Sequence, residues 1–408
     1  MMKPWEQASG RLFLKEVMMT VPMTLAGKYF TSEAIFAEEK RHIFYDRWIY
    51  VARETELAQP GSYKLLDFLG YNIILLRDYG GTVRAFHNVC RHRGTRLCEA
   101  GQGKLAKTIQ CPYHAWTWDL HGRLIGVPSL DRMKHFNKAD YSLHAVAVAS
   151  WNGALFINLA ANPESLATVL GGITHAFDAW NLGALQIARR IEYDVGANWK
   201  IIAQNFSECY HCPGVHPELT PISHYQSGET VYSEGICLGG YMEILQQGIS
   251  WNGQLSASPM GSVAGAELER IHFYVLFPNL LLTLSPDYAV FYRLWPLAPD
   301  RTWLTCDFLF EPEAMAAPDF DVDNVAGFWD VINRQDWHVC ELSQKGMQSP
   351  AYTPGPYYEW QEIGLIGIDR EVLQALGHEK NGRYHHDIHI SSQSAKSADK
   401  ALKSERKE

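Results

Sequence analysis

The chain has 408 residues, of which 47% are hydrophobic and 20% are charged, and its formal net charge is -9. This composition is typical of a globular protein, and the length is sufficient for two domains that each bury a core. The negative charge argues against a nucleic-acid partner. No apolar run reaches membrane-spanning length, and residues 1–31 lack the pattern of a secretory signal, so neither feature is predicted.

The cysteines indicate the compartment. Eight cysteines are scattered through the chain, and Cys90, Cys111 and Cys212 each lie within a few residues of a histidine. This pattern favours metal binding in a reducing compartment over a disulfide framework. We therefore expect a cytoplasmic protein.

The first part of the chain predicts a helix followed by a β domain. Thr31-Ser32 has the character of a helix cap, and the apolar spacing behind it predicts a helix that runs to about Tyr50. Residues 46–159 then contain short β-rich runs, such as 71–76, bounded by glycine-containing turn pairs. We expect an N-terminal segment and helix at 1–45 that pack on the second domain, followed by a mostly antiparallel β domain.

Two short motifs inside this β domain combine cysteine with histidine. Cys90 is followed by His92, and Cys111 is followed by His114. A set of two cysteines and two histidines can hold a structural zinc ion. It can also hold a [2Fe–2S] cluster, with the cysteines on one iron and the histidines on the other. The pattern favours the cluster, because each half mixes sulfur with nitrogen, unlike the usual grouping of zinc-finger ligands.

The second part of the chain predicts an α/β domain at 160–378. A helix is expected to open at 162–165, and a long helix is expected at 321–348. The strand-like runs are 190–195, 272–277, 280–284, 289–295 and 303–310. Together they indicate a curved antiparallel sheet with helices that enclose a cavity, so the predicted fold class is α+β. Residues 379–408, which include the His-rich run 384–389, are expected to form a mobile polar tail.

A second group of candidate metal ligands follows an amphipathic run at 199–206. Glu208 and His211 are three apart, so they are predicted to share one face of a helix. Pro213-Gly214 is expected to end that helix, so that His216 arrives from a different direction. Two imidazoles placed in this way, with one carboxylate from elsewhere, would form a 2-His-1-carboxylate iron(II) site. On spacing alone, histidines with a purely structural role fit the pattern as well.

The long predicted helix supplies a candidate carboxylate. Asp336 lies on its apolar stripe and should therefore be buried, where an unpaired charge costs several kcal/mol. Its partner could be an arginine, such as Arg334 or Arg293, or a metal ion. Asp330 and Glu341 point away from the stripe and are expected in solvent.

These motifs together resemble the Rieske non-haem iron oxygenases. The first half matches at 90–94 and 111–116, and the second half matches at Asn205-Phe206 and 208–216, so that the resemblance extends from about Tyr29 to Leu376. The resemblance implies an N-terminal antiparallel β Rieske [2Fe–2S] domain. It also implies a C-terminal helix-grip catalytic domain around a mononuclear Fe(II), with a curved antiparallel sheet and helices.

The resemblance also implies roles for single residues. The implied cluster ligands are Cys90, His92, Cys111 and His114. The implied ligands of the mononuclear iron are His211, His216 and Asp336, the last within a Gln-Asp pair. Asn205 and Glu208 are implied as catalytic residues. Glu208 would bridge His211 to a cluster histidine, His114, of a neighbouring subunit, so that electrons cross between subunits of a homotrimer.

The source of electrons is expected to be a separate protein. The run Gly101-Gln102-Gly103 lacks the third glycine and the strand–turn–helix context of a dinucleotide site. Together with the resemblance, this predicts a separate NAD(P)H-dependent reductase, with or without a ferredoxin.

The substrate is the least constrained feature. Many ring-hydroxylating dioxygenases carry aspartate at the position of Glu208, and the motif here resembles the choline, carnitine and betaine monooxygenases more closely. The expected reaction is hydroxylation or N-demethylation of a small quaternary amine, with an aromatic cage for the cation. The candidate cage residues are Trp251, Tyr288, Phe291 and Tyr292.

Two alternatives stay open at this point. One is hydroxylation of an aromatic carboxylate, with Arg293 as its anchor. The other is a non-catalytic iron–sulfur electron-transfer protein or a zinc-stabilised binding protein, which the second metal motif disfavours. The choice between mono- and dioxygenation also stays open.

Overall fold

The structure is a computed structural model that describes residues 21–233, 235–358 and 360–378. Residues 1–20 of the N-terminal segment and the whole predicted tail at 379–408 lie outside the described residues. Among the described helices, none combines the length and the apolar character needed to cross a membrane.

Two short helices precede a run of ten strands, and the other helices flank the remaining strands. The α-helices are α1 (Lys28–Thr31), α2 (Glu33–Glu39), α3 (Leu166–Leu170), α4 (Trp199–Phe206), α5 (Cys212–Val215), α6 (Pro312–Met315), α7 (Asp323–Met347) and α8 (Ile363–Ala375). The first ten strands are β1 (Ile49–Arg53), β2 (Ser62–Phe68), β3 (Tyr71–Arg77), β4 (Val83–His87), β5 (Gln102–Lys104), β6 (Thr108–Gln110), β7 (Thr117–Asp119), β8 (Leu124–Gly126), β9 (Ala145–Trp151) and β10 (Ala154–Asn158). The remaining strands are β11 (Gln186–Val195), β12 (Ser223–Tyr232), β13 (Cys237–Ile244), β14 (Arg270–Leu276), β15 (Leu280–Leu284), β16 (Ala289–Ala298) and β17 (Arg301–Phe310).

The first ten strands build the predicted antiparallel β domain. One sheet has the order β1-β10-β9-β4-β3-β2-β5, and a smaller sheet has the order β6-β7-β8. A hydrophobic cluster that contains Ile74, Phe86 and Trp118 also contains Cys90 and Cys111. The two cysteine loops are therefore fixed to the core of this domain.

The remaining strands build one antiparallel sheet of seven strands, in the order β11-β17-β16-β15-β14-β13-β12. The long helix α7 packs on it through a buried stripe that includes Val325, Phe328 and Ile332. The predicted α+β class and the curved antiparallel sheet with helices are confirmed. The strands β12 and β13 were not predicted, and they supply one wall of the site described below.

The first predicted helix is shorter than expected. Ser32 caps α2 by accepting a hydrogen bond from the Ile35 N–H at 3.4 Å, and a π-helical turn, Lys40–Phe44, continues it. The chain then enters β1, because the β-branched and aromatic residues of that run pair with β10. The prediction that the helix continues to about Tyr50 was wrong.

Buried polar contacts fix the position of α4. Lys200 forms an ion pair with Glu39 of α2, and both side chains are fully buried. The Trp199 Nε1–H donates to the second oxygen of Glu39 at 2.9 Å. On the other side, Gln204 donates to Asp369 of α8 at 2.7 Å. Because breaking such a buried pair is strongly destabilising, these contacts determine where the chain leaves α4.

Candidate active site

The turn after α4 brings Glu208 to His211. The helix ends at Phe206, and Glu208 lies beyond its end, where one carboxylate oxygen accepts hydrogen bonds from the backbone N–H groups of Tyr210 and His211. The other oxygen lies 2.6 Å from His211 Nδ1. The prediction that the two residues share one helix face was wrong. They meet because the carboxylate closes a tight turn.

The next residues form a one-turn helix between the two histidines. Pro213 lies in the first turn of α5, where its missing N–H costs no hydrogen bond. The prediction that Pro213-Gly214 ends a helix was therefore wrong. His211 and His216 lie at opposite ends of α5, and this single turn directs both rings to one point.

Three donor atoms meet at that point. The Nε2 atoms of His211 and His216 are 3.2 Å apart. Asp336 of α7 places Oδ1 3.2 Å from the first nitrogen and 3.0 Å from the second. Ligand atoms on one face of an octahedron, each about 2.1 Å from a metal ion, are separated by about 3 Å. The triangle therefore has the size of a facial set of metal ligands.

Further side chains set the tautomer of both rings. The Glu208 carboxylate can only accept, so the His211 Nδ1 carries the proton in their contact. The Gln335 Nε2 donates to Glu218 at 2.8 Å, which turns its Oε1 toward His216 Nδ1, also at 2.8 Å. Both Nε2 atoms are thereby left with lone pairs that face Asp336, as metal ligation requires.

The charges and lone pairs of His211, His216 and Asp336 favour a bound cation. Oδ1 of Asp336 is buried, and each histidine can donate a hydrogen bond to it only when its Nε2 carries a proton. Burial lowers the pKa of His211, but hydrogen bonds to Asp336 and Glu208 outweigh it and raise that pKa to about 10. Burial raises the pKa of Asp336, but the hydrogen bonds from the two histidines lower it overall. The donor set therefore fits a divalent metal ion, whose positive charge all three groups would stabilise.

The expected arginine partners of Asp336 are engaged elsewhere. Arg334 forms an ion pair with Asp330 at 2.9 Å. Arg293 donates to the Val51 carbonyl and to Thr305. Asp330 is only partly exposed because it also accepts a hydrogen bond from Tyr193, so its predicted solvation was only partly correct.

The two Cys/His motifs form loops with the same backbone hydrogen bonds. The Cys90 N–H donates to the Thr95 carbonyl, and the Cys111 N–H donates to the Trp116 carbonyl, both at 2.8 Å. In each loop the fourth residue after the cysteine returns a bond to the cysteine carbonyl at 3.0 Å. That residue has a positive φ, 76° at Gly94 and 55° at Ala115. A non-glycine residue in this conformation is strained, and such strain concentrates at functional sites.

These loops gather the four predicted cluster ligands. Cys90 and Cys111 are buried free thiols, and burial, with the neighbouring Cys111 thiol, raises the pKa of Cys90. The rings of His92 and His114 have centroids 4.7 Å apart, with His92 exposed and His114 half-buried. The arrangement offers two sulfur atoms on the inside and two imidazoles at the surface, which fits a Rieske-type cluster.

The remaining cysteines depart from the expectation of free thiols at one place. Cys209 and Cys212 form a disulfide within the turn that carries His211. The other described cysteines are free and buried. The sequence favoured metal binding over a disulfide framework and did not indicate this single bond, which forms because the turn between α4 and α5 brings two cysteines three residues apart into contact.

A cavity of about 900 Å³, part of it open to solvent, lies against the three donor atoms. Aromatic side chains from α4, β14, β16 and α7 form its walls, namely Phe206, Phe273, Tyr292 and Trp329. The unpredicted strands β12 and β13 close another wall with the polar residues Glu229, Thr230 and Tyr241. The signal for these two strands in the sequence is weak, because polar residues dominate β12 and a Gly-Gly pair interrupts β13.

Of the four candidate cage residues, one lines the cavity and three do not. Tyr292 lines the cavity, but Trp251 is exposed and packs on Phe328. Tyr288 and Phe291 lie in the hydrophobic core. Successive residues of a strand point to opposite faces, so Arg293 faces away from the cavity and is not in a position to anchor a substrate carboxylate there.

The fold and the two donor sets define a class of protein. A β domain with two Cys/His loops, joined to a sheet that presents a His-His-Asp face, is the arrangement of an oxygenase with an electron-transfer cluster and a separate iron centre. Family comparison agrees, since residues 47–137 match the Rieske [2Fe-2S] domain and residues 182–378 match the ring hydroxylating alpha subunit (catalytic domain).

Named relatives extend over most of the chain. The glycine betaine monooxygenase oxygenase subunit of Chromohalobacter salexigens is 30% identical over 378 residues, covering 84% of this chain and 83% of that protein. The carnitine monooxygenase oxygenase subunit of Acinetobacter baumannii is 30% identical over 343 residues, covering 81% and 87%. The solved structure of a quaternary ammonium Rieske monooxygenase superposes with a TM-score of 0.75 at 28% identity, covering 88% of this chain and 96% of that one.

The chain therefore belongs to the Rieske non-haem iron oxygenases, as an α (oxygenase) subunit. It is an oxidoreductase with a Rieske [2Fe–2S] domain and a mononuclear iron catalytic domain.

Proposed function

We propose that this chain is the terminal oxygenase that hydroxylates or N-demethylates a small quaternary ammonium compound. The observation that carries the proposal is the His-His-Asp face at one wall of a cavity that also has several aromatic side chains in its walls. Relatives named for glycine betaine, carnitine and choline support the same substrate class. The reaction consumes O2, two electrons and two protons, and it converts a substrate C–H into C–OH with release of water.

The residues assigned to the mononuclear iron are His211, His216 and Asp336. When bound there, Fe(II) supplies the reductive activation of O2, for which three protein ligands leave open positions. Glu208 and Gln335 hold the ring protons on Nδ1. The remaining groups act on the substrate or on water.

Asn205 is assigned to the same site. Its Nδ2 lies 3.5 Å from His211 Nε2. Its Oδ1 is buried without a hydrogen-bond partner among the described residues. That oxygen is available to accept a hydrogen bond from water or substrate at the centre, which supports the catalytic role assigned to this residue.

The aromatic walls recognise the cation. Phe206 has its ring centroid 5.6 Å from that of Phe273 and 5.4 Å from that of Tyr292. Phe273 in turn lies 6.3 Å from Trp329. A quaternary ammonium carries no N–H and cannot form a conventional hydrogen bond, so its recognition relies on aromatic faces. The walls therefore support binding of a methylammonium group beside the three donor atoms.

The residues assigned to the [2Fe–2S] cluster are Cys90, His92, Cys111 and His114, within a domain whose proposed limits are 46–159. We expect Cys111→Ala to abolish the visible absorption of the cluster, because one iron loses a thiolate ligand. Iron in the catalytic domain, 160–378, should be retained. Optical spectroscopy with iron and sulfide analysis measures both.

Cys98→Ala is the matched control, because Cys98 is a buried free thiol of the same domain outside the two loops. It should keep the spectrum. An unchanged spectrum in Cys111→Ala would remove this ligand assignment. A colourless wild-type chain that contains zinc would instead favour the non-catalytic alternative.

The electron path is proposed to run between subunits of a homotrimer. Glu208 lies beside exposed aromatic residues, with Tyr210 and Tyr358 rings 4.9 Å apart. On the other domain, the surface at His114 also carries an exposed aromatic side chain, Tyr113. The two exposed surfaces support docking of one subunit's cluster domain against Glu208 of the next. For the related quaternary ammonium Rieske monooxygenase, the solved structure is described as giving insight into inter-subunit electron transfer.

Electrons are proposed to come from a separate NAD(P)H-dependent reductase, with or without a ferredoxin, in the cytoplasm. The test combines the chain with such a reductase, NADH and, in turn, choline, glycine betaine, carnitine and benzoate. We expect oxidised product from at least one quaternary amine, in step with NADH and O2 consumption. Product from benzoate alone would favour the aromatic carboxylate alternative and overturn the proposal.

A further inference from the structure

Acidic side chains in the described cavity lining are not matched by lysine or arginine. The residues described in its lining include three carboxylates but no lysine or arginine. Two of these carboxylates, Glu208 and Asp336, are paired with the histidines of the iron site. The third, Glu229, is therefore the charge that a substrate meets.

Glu229 lies on β12 and is an exposed residue of the cavity lining. Its side chain is exposed, and the Tyr241 hydroxyl donates to one of its oxygens. Burial and the Glu229 carboxylate raise the pKa of Tyr241 to about 12, so this phenol stays neutral and provides no charge. Among the described residues, no lysine or arginine lies within salt-bridge distance of Glu229.

Arg270 approaches the wall formed by β12 and β13, but its guanidinium is bound to other side chains. Arg270 stacks on the Tyr241 ring, with 3.9 Å between Cζ and the ring centroid. It donates to the Tyr241 hydroxyl at 3.1 Å and forms an ion pair with Glu267, also at 3.1 Å. Arg270 therefore stabilises the phenol that holds Glu229 and is absent from the cavity lining.

We propose that this cavity selects a substrate of net positive charge, a quaternary ammonium whose remainder is an uncharged alcohol or alkyl group, and that Glu229 determines this specificity. The inference rests on the proposed function and narrows its substrate class. A carboxylate on the substrate would meet the unpaired charge of Glu229, with no lysine or arginine in the described lining to pair with it. A hydroxyl would instead meet neutral groups such as Thr230 and Asn205.

The test compares three trimethylammonium compounds of similar size in the reconstituted holoenzyme: choline, glycine betaine and glycine betaine methyl ester. The ester keeps the shape of the zwitterion and removes its negative charge. We expect kcat/KM for choline and for the ester to exceed that for glycine betaine. In Glu229→Gln, KM for the two cations should rise about fivefold with kcat retained, because an exposed charge pair is worth at most about 1 kcal/mol.

Controls separate this charge effect from folding. Glutamine still accepts the Tyr241 hydrogen bond, so the wall should be preserved. Glu243→Gln, on the neighbouring strand β13 and outside the cavity lining, should leave all three KM values unchanged. The reversed charge in Glu229→Lys should shift preference toward the zwitterion.

The outcomes are distinct. A wild-type preference for glycine betaine over its ester, or equal effects of Glu229→Gln on all three compounds, would overturn the inference and leave the proposed function standing. A failure to oxidise any of the three, with carnitine also inert, would overturn both.

Discussion

Asp336→Ala is expected to release the mononuclear iron and to leave the cluster intact. Asp336 supplies the one carboxylate oxygen of the triangle, with 3.0 and 3.2 Å to the two histidine nitrogens. Changes to outer-shell partners of a metal cost about 10- to 100-fold in affinity, so loss of a ligand itself should cost more. Iron should fall from about three to about two atoms per chain, with the Rieske spectrum retained. Turnover should fall to background.

The matched control is Asp330→Asn, which lies on the same helix and faces away from the cavity. Asparagine can still accept the hydrogen bond from Tyr193. The substitution removes the ion pair with Arg334, whose side chain is exposed to solvent. Its cost should therefore be small. Full iron content and normal turnover in Asp336→Ala would disprove the ligand assignment.

Glu208→Gln is expected to keep both metals and to slow reductase-driven turnover by about 10- to 100-fold, the range found for partners of ligating histidines. The amide oxygen can still accept the His211 Nδ1–H, so the ring should stay in place. The negative charge that stabilises the imidazole and is proposed to meet the neighbour's His114 is lost. Iron analysis, the Rieske spectrum and rates of cluster reduction and reoxidation with substrate and O2 separate these effects.

In this variant the cluster should still be reduced by the reductase, and its reoxidation should be the slow step. Glu313→Gln, at an exposed position in the first turn of α6, serves as the control and should match the wild type. Wild-type reoxidation rates in Glu208→Gln would show that the carboxylate is not needed for electron entry.

The local motifs of this chain could be predicted because their information is local. Each Cys/His loop has its proposed ligands within a few residues of one another, and backbone hydrogen bonds within the loop are enough to position them. Asp336 was singled out for a different reason, since a carboxylate on an apolar helical stripe conflicts with burial unless it has a partner, and the family resemblance favoured a metal ion as that partner. In both cases a short stretch of sequence contained polar groups that require a binding partner.

The wall of the cavity could not be predicted in the same way. Glu229 and Tyr241 come together through the pairing of β12 with β13, which alternation of apolar residues does not indicate in such polar strands. The meeting of Glu208 and His211 was expected for a wrong reason, because spacing of three also fits a turn closed by a carboxylate. Which aromatic residues face the cavity depends on strand register, so Tyr292 lines it while its neighbours do not.

Oxygenation of a quaternary amine is tested most directly by turnover under isotopically labelled O2. The chain with its reductase, NADH and a trimethylammonium substrate should place one labelled oxygen atom in the oxidised carbon product, provided that the product is reduced at once to prevent exchange with water. The amount of product formed should equal the amounts of NADH and of O2 consumed. Unlabelled product, or O2 consumed only to form hydrogen peroxide with every quaternary amine, would contradict the proposed function.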